Sequence, residues 1–163
     1  NFLAKLSVAW EAAAKSISRD TIIFRFGVVL SKKGGALKQM YLPYLFGFGG
    51  PIKGGNHCFS WVHMKDLIKA FEFVLNHEDS IGIYNLTSPQ PIQQKYFGQV
   101  LAKTLKRPFL IPLFEWQLKL LFGKGSRVLT QSLSVVPKFL LDEGFVFDFP
   151  DIESALLDLT KNK

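Results

Sequence analysis

The stretch FSWVHMKDLIKAF, Phe59 to Phe71, spaces a serine, a histidine and an aspartate three residues apart, at Ser60, His63 and Asp66. Histidine with a carboxylate is a common metal pair, but a site needs three or four ligands and no cluster of Cys or His accompanies these two. A hydrolase triad fails on geometry. Alternation along a strand sends Ser60 and His63 to opposite faces, and the chain contains no nucleophile-elbow motif. Asp66 stands just ahead of a helical repeat, where a carboxylate accepts the free N–H groups of the first turn, so it is expected to cap that helix. His63 then closes the strand near the mouth of a cleft, where a hydrogen-bonded structural histidine is the commoner outcome. Two further motifs dissolve on inspection. GKGS, Gly123 to Ser126, echoes a phosphate loop, yet Leu118 occupies the position of the required upstream glycine, so it reads as a turn. NLT, Asn85 to Thr87, matches a glycosylation acceptor, a tripeptide that arises by chance.

These residues depend on an alternation of helices and strands. Phe2, Leu6, Ala9, Trp10, Ala13 and Ile17 recur at helical spacing and predict an opening amphipathic helix. TIIFRFGVVL follows as a nearly unbroken apolar run, the pattern of a strand buried on both faces of a parallel sheet. The next segment, Ser31 to Cys58, carries three Gly-Gly pairs around a short helix from about Ala36 to Leu45. Glycine at that density permits close backbone approach or positive φ, which marks it as the expected ligand-facing surface. CFSWVH is predicted as a strand, and KDLIKAFEFVLNH as a helix with Leu67, Ala70, Phe71, Val74 and Leu75 inward. GIYNLT is a further strand and Gln93 to Leu105 a further helix. The fold class is therefore α/β. Beyond Pro108 the texture changes to aromatic-rich helical stretches, including 136–143 and 151–159, with Asp151 and Glu153 opposing the positive end of the last helix. The expected division is residues 1–107 for the α/β part and 108–163 for a small helical appendage.

The 163 residues are 48% apolar, enough for a real core in one domain-sized chain. No apolar run reaches membrane-spanning length, and no secretory signal is evident near the initial asparagine, which suggests a fragment. A single cysteine, Cys58, makes no internal disulfide and points to a reducing compartment, hence the cytoplasm. The net charge is +7, but up to residue 141 eighteen basic residues face seven acidic ones, a local balance of +11. That favours an anionic ligand. The basic residues are scattered singly, so a nucleic-acid stripe is not evident.

Taken as a set, FRFGVVLSKKGGALKQM, GFGGPIKGGNHCFSWVHMKDLIKAFEFVL, IYNLTSPQPIQQKYFGQVLAKTLKRP and VVPKFLLDEGFVFDFPDIESAL resemble one family. It is the atypical extended short-chain dehydrogenase/reductase group known as NAD-dependent epimerase/dehydratase, often labelled a cell-division inhibitor. The resemblance runs in order along nearly the whole chain, including a C-terminal region of unknown function. It implies the C-terminal part of a Rossmann-like fold with a substrate lobe, because the glycine turn that seats a cofactor pyrophosphate in such proteins does not occur here. Weak or no cofactor binding is expected of this chain alone.

The resemblance also implies NADP as the cofactor and a small-molecule substrate, with no metal and no membrane. Gly27, Val28 and Val29 match the segment where extended reductases bring backbone near the nicotinamide, with Arg25 as charged neighbour. On the substrate side it implies Gly34 and Gly35 in the following loop, then Lys53, Asn56 and His57, then Trp61 and His63. Sugar-nucleotide epimerases carry a phosphate-gripping basic residue where Asn56 and His57 stand; an asparagine cannot make the bidentate contact of an arginine. The Tyr-x-x-x-Lys pair of typical short-chain dehydrogenases is also absent: aligned on Glu11, Ser7 and Leu3 fill its positions. No catalytic residue is assigned. The implied activity is that of an epimerase/dehydratase-like oxidoreductase inactive as this piece, with a non-catalytic nucleotide-sensing protein as the alternative reading. Phe46, Phe48 and Trp116 suggest an interaction surface, including a homodimer.

Overall fold

Helical periodicity is realised first in α1 (Phe2–Ile17), and β-branched and aromatic residues extend the chain into β1 (Ile22–Phe26) and β2 (Val28–Leu30). A computed structural model describes residues 2–18, 20–77, 80–112 and 132–161, without the side chains of Phe2, Leu3 and Lys53. The GKGS turn, Trp116 and the rest of residues 113–131 lie outside the described residues. From β2 the chain enters α2 (Gly35–Leu45) and a 3-10 turn (Lys53–Gly55), then β3 (Cys58–Phe59) and β4 (Trp61–His63). These are followed by α3 (Met64–Leu75), β5 (Gly82–Leu86), β6 (Ile92–Gln93) and α4 (Gln94–Thr104). Two short helices, α5 (Lys138–Asp142) and α6 (Ile152–Thr160), complete the described order.

Three strand pairs organise the fold. β1 runs parallel to β5 with Arg25 opposite Asn85, β2 runs parallel to β4 with Leu30 opposite His63, and β3 lies antiparallel to β6. The predicted single strand TIIFRFGVVL is thus two strands that change partner at Gly27. Its N–H donates to Leu86 O at 3.1 Å, while the next N–H, of Val28, donates to Ser60 O at 2.9 Å. A Cβ at Gly27 would lie 3.0 Å from both Ser60 O and Thr87 Cγ2, so glycine lets three segments meet there.

The expectation of burial on both faces is corrected. β1 is only half-buried, and its last two residues, Arg25 and Phe26, are exposed. Among the described residues β1 pairs on one edge only, and α1 rests on it lightly, with Trp10 68% and Ile17 86% exposed. The run CFSWVH is likewise split at Ser60, because β3 and β4 pair with different partners. On α3, Leu67, Ala70 and Val74 are buried as predicted, but Leu75 is exposed at the helix end.

Two apolar clusters hold the layers together. One gathers Leu30, Tyr44, Trp61, Phe97 and Leu101 with Ile152 and Leu156 of α6; the other gathers Val62, Val74, Tyr84 and Leu86 with Leu140 of α5 and Phe145. Both C-terminal helices therefore bury their apolar faces in the same clusters as the strands. Gly98 on α4 permits the tight seam beside them: a Cβ there would collide with the Phe109 ring and approach Tyr44 Oη to 2.8 Å.

Candidate functional site

A cleft of about 420 Å³ opens where β1 and β5 end and the chain changes partner at Gly27. Ligands of open α/β sheets bind in crevices beyond the carboxyl ends of strands, and this one occupies that position. Its floor is the run Arg25 to Val28, and its first side wall is Cys58, Phe59 and Ser60 from β3 and the residue after it. Asn85 and Thr87 line it from β5 and its end. Parallel register puts Asn85 beside Arg25 on one face of the pair.

The remaining wall comes from far along the chain. Leu133 and Val135 lie over the cleft, fixed by a ladder of hydrogen bonds. Leu133 N–H donates to Cys58 O at 3.2 Å, Ser132 Oγ accepts from Cys58 N–H at 3.0 Å, and Thr87 Oγ1 donates to Val135 O at 3.2 Å. Ser60 does double service: its hydroxyl donates to Leu133 O at 2.6 Å and accepts from Val135 N–H at 3.0 Å. With Ser60 and Thr87 both buried, these bonds hold the segment as an added rail along the sheet.

The walls are mainly apolar. Among the described residues Arg25 is the one permanently charged group lining them, and it is forked onto Glu11 of α1, with Nε to Oε1 at 2.7 Å and Nη2 to Oε2 at 2.6 Å. That contact holds the Glu11 carboxyl below its ordinary range and Arg25 above its own. The Asn85 amide makes no hydrogen bond to a described residue, leaving its N–H donors and its carbonyl acceptor available to a carbonyl or carboxamide.

Of the residues expected at a cofactor site, Arg25, Gly27 and Val28 meet in this cleft, while Val29 packs on the α3 side. The expected substrate residues are dispersed. Gly34 precedes α2 in extended backbone and Gly35 opens it at φ 72°, away from the cleft walls. Asn56 is exposed after the 3-10 turn, and the carbonyl of His57 accepts Gln94 N–H at 3.0 Å. The side chain of Lys53 lies outside the described residues.

Trp61 and His63 are buried in the interior, away from the cleft walls. His63, rather than Asp66, is the residue that caps α3: its Nδ1 accepts Lys65 N–H at 3.1 Å. Its ring stacks on Phe149 at 3.9 Å between centroids, and Nε2 approaches Asp158 Oδ2 of α6 to 3.3 Å without a well-formed hydrogen bond. Burial pushes its pKa down against the pull of Asp158 and Asp66. Asp66 instead accepts the N–H groups of Asp148 at 2.8 Å and Phe149 at 3.0 Å, reaching a loop eighty residues away. The expected local cap is thus a tertiary clasp. Its signal was hidden because capping chemistry serves any converging N–H, near or distant.

Sequence reasoning missed Cys58, Phe59, Ser60, Asn85, Thr87, Leu133 and Val135. The alternation of Asn85 on β5 and Thr87 just past its end was a usable sign. Nothing local marks Leu133 or Val135.

Residues 113–159 match a domain of unknown function, DUF1731. Epimerase family proteins of Staphylococcus aureus are 35% identical over 99% of this chain, and one of Staphylococcus epidermidis is equally so. The chain spans about half the length of these relatives, 55% in each case. A crystal structure of a human epimerase family protein, SDR39U1 isoform 2 with NADPH, superposes with a TM-score of 0.90 at 32% identity, covering all of this chain and 56% of that one. A nucleoside-diphosphate sugar epimerase of Corynebacterium glutamicum shares the fold, at TM-score 0.74 and 22% identity over 96% of this chain and 30% of the other. Sequence and fold thus match the C-terminal portion of epimerase family proteins, with the Rossmann-like α/β architecture that goes with them.

Proposed function

We propose that this C-terminal portion of an epimerase family protein supplies the substrate-facing half of an NADP(H)-dependent oxidoreductase of the epimerase/dehydratase type. The observation that supports the reading is the cleft at Gly27, beyond the ends of β1 and β5, since open α/β sheets bind their ligands at such strand ends. Its shape suits a nicotinamide ring. The backbone of Gly27 and Val28 lines the cleft without a large side chain at Gly27, Phe26 offers exposed apolar surface, and the Asn85 amide can meet a carboxamide. When bound, NADPH would supply hydride. The chain's own part is to bind the ring end along the backbone of Gly27 and Val28, beside the Arg25–Glu11 pair, and to exclude water with Leu133 and Val135. The human relative solved with NADPH supports the cofactor class.

A second reading is favoured by one observation. Apart from Arg25 and Cys58, no titratable side chain lines the cleft among the described residues, and a proton-transfer step needs a group of suitable pKa within reach. That arrangement supports a nucleotide-sensing protein on the same scaffold. Steady-state assays of the full-length gene product with NADPH and a panel of carbonyl compounds and sugar nucleotides separate the two. NADPH oxidation that depends on a second substrate supports the oxidoreductase; saturable NADPH binding with no turnover across the panel supports the sensor.

A further inference from the structure

Resting on that reading, we propose that the segment Ser132–Val135 is a specificity rail, and that it makes the cleft select an uncharged, apolar carbonyl compound rather than a sugar diphosphate. The first ground is what the rail consumes. The hydroxyls of Ser60 and Thr87, which a sugar would otherwise find at the wall, are spent on Leu133 O, Val135 N–H and Val135 O. A ligand hydroxyl arriving there would have to displace formed hydrogen bonds.

The second ground is charge. A diphosphate needs a cation or converging N–H donors, and among the described residues the one lining cation, Arg25, already spends its planar fork on Glu11. The third is what the rail offers. Leu133, with 56% of its surface exposed, joins Val28 and Phe26 to make an apolar slot, and among the described residues the Asn85 amide is left to orient a carbonyl oxygen. Burying a phosphate against such walls without partners is costly. Specificity for this site is therefore written in the C-terminal region, by Leu133 and Val135, at a distance in sequence from the strands that carry the floor.

Cys58 lines the cleft and is the only cysteine of the chain, so its alkylation by neutral N-ethylmaleimide reports occupancy. Acetophenone and UDP-glucose serve as probes on the 163-residue chain. The expected result is saturable slowing of alkylation by acetophenone, with no slowing by UDP-glucose at equal concentration. Leu133→Lys should weaken acetophenone protection by about tenfold, equal to about 1.4 kcal/mol. Leu133→Ala, a milder change at an exposed position, should weaken it in the same direction. Amide shifts of Gly27 and Val28 on acetophenone addition give an independent readout in any variant. Protection by UDP-glucose equal to that by acetophenone would overturn the inference, as would an unchanged response in both Leu133 variants. Failure of the oxidoreductase reading looks different: no NADPH binding or turnover by the gene product, with acetophenone still protecting Cys58.

Discussion

His63 shows how a residue type that suggests chemistry can serve architecture. Its imidazole is buried, accepts Lys65 N–H through Nδ1 and faces Asp158 through Nε2. Burial holds its pKa in the folded chain below the ordinary value of about 6.5. The unfolded chain therefore binds the proton more readily, and stability falls as pH drops from about 6.5 towards the lower folded value. Asp66 works in the opposite sense, since burial raises its pKa and acidification relieves an ionised, desolvated carboxylate. Thermal melts should show wild type losing stability between about pH 7 and about pH 5, and His63→Gln losing less over the same range. An equal slope in both would remove His63 from the account. Ser60→Ala deletes the hydroxyl that both donates to and accepts from the rail. It should cost about 1–3 kcal/mol in denaturant unfolding, and speed alkylation of Cys58.

At the scale of elements, periodicity located most helices and strands but was silent on their partners. α2, α4 and α6 fall close to their predicted bounds because apolar spacing is a local signal. The break at Gly27 was invisible for the opposite reason: an apolar run looks the same whether it keeps one neighbour or trades it for another. Leu133 and Val135 carry no sign of their role, since hydrogen bonds to Cys58, Ser60 and Thr87 exist only after the chain has folded back. Two substitutions examine these elements. Gly27→Ala brings a Cβ within 3.0 Å of Ser60 O and Thr87 Cγ2, so it should destabilise by about 1–3 kcal/mol and narrow the cleft. Leu156→Ala, in α6, removes a fully buried side chain from the cluster it shares with Leu30 and Trp61. It should cost about 2–5 kcal/mol and lower the single unfolding transition of the whole chain, not a separate transition of the C-terminal helices.

At the scale of the whole molecule, we propose that this chain supplies one half of a site. α1 keeps Val8, Trp10 and Ile17 exposed, and β1 pairs on one edge among the described residues, in a chain that spans 55% of its relatives' length. α5 and α6 complete the apolar clusters that the strands begin, and we propose the C-terminal region as a part of the cleft in its own right. The most direct test of the central claim is NADPH affinity of the full-length gene product, measured by cofactor fluorescence for wild type and Gly27→Val. A cleft at Gly27 that receives the reactive end of the cofactor predicts saturable binding weakened at least about tenfold by the substitution, with folding confirmed by circular dichroism. Equal affinity in a folded Gly27→Val protein would contradict it.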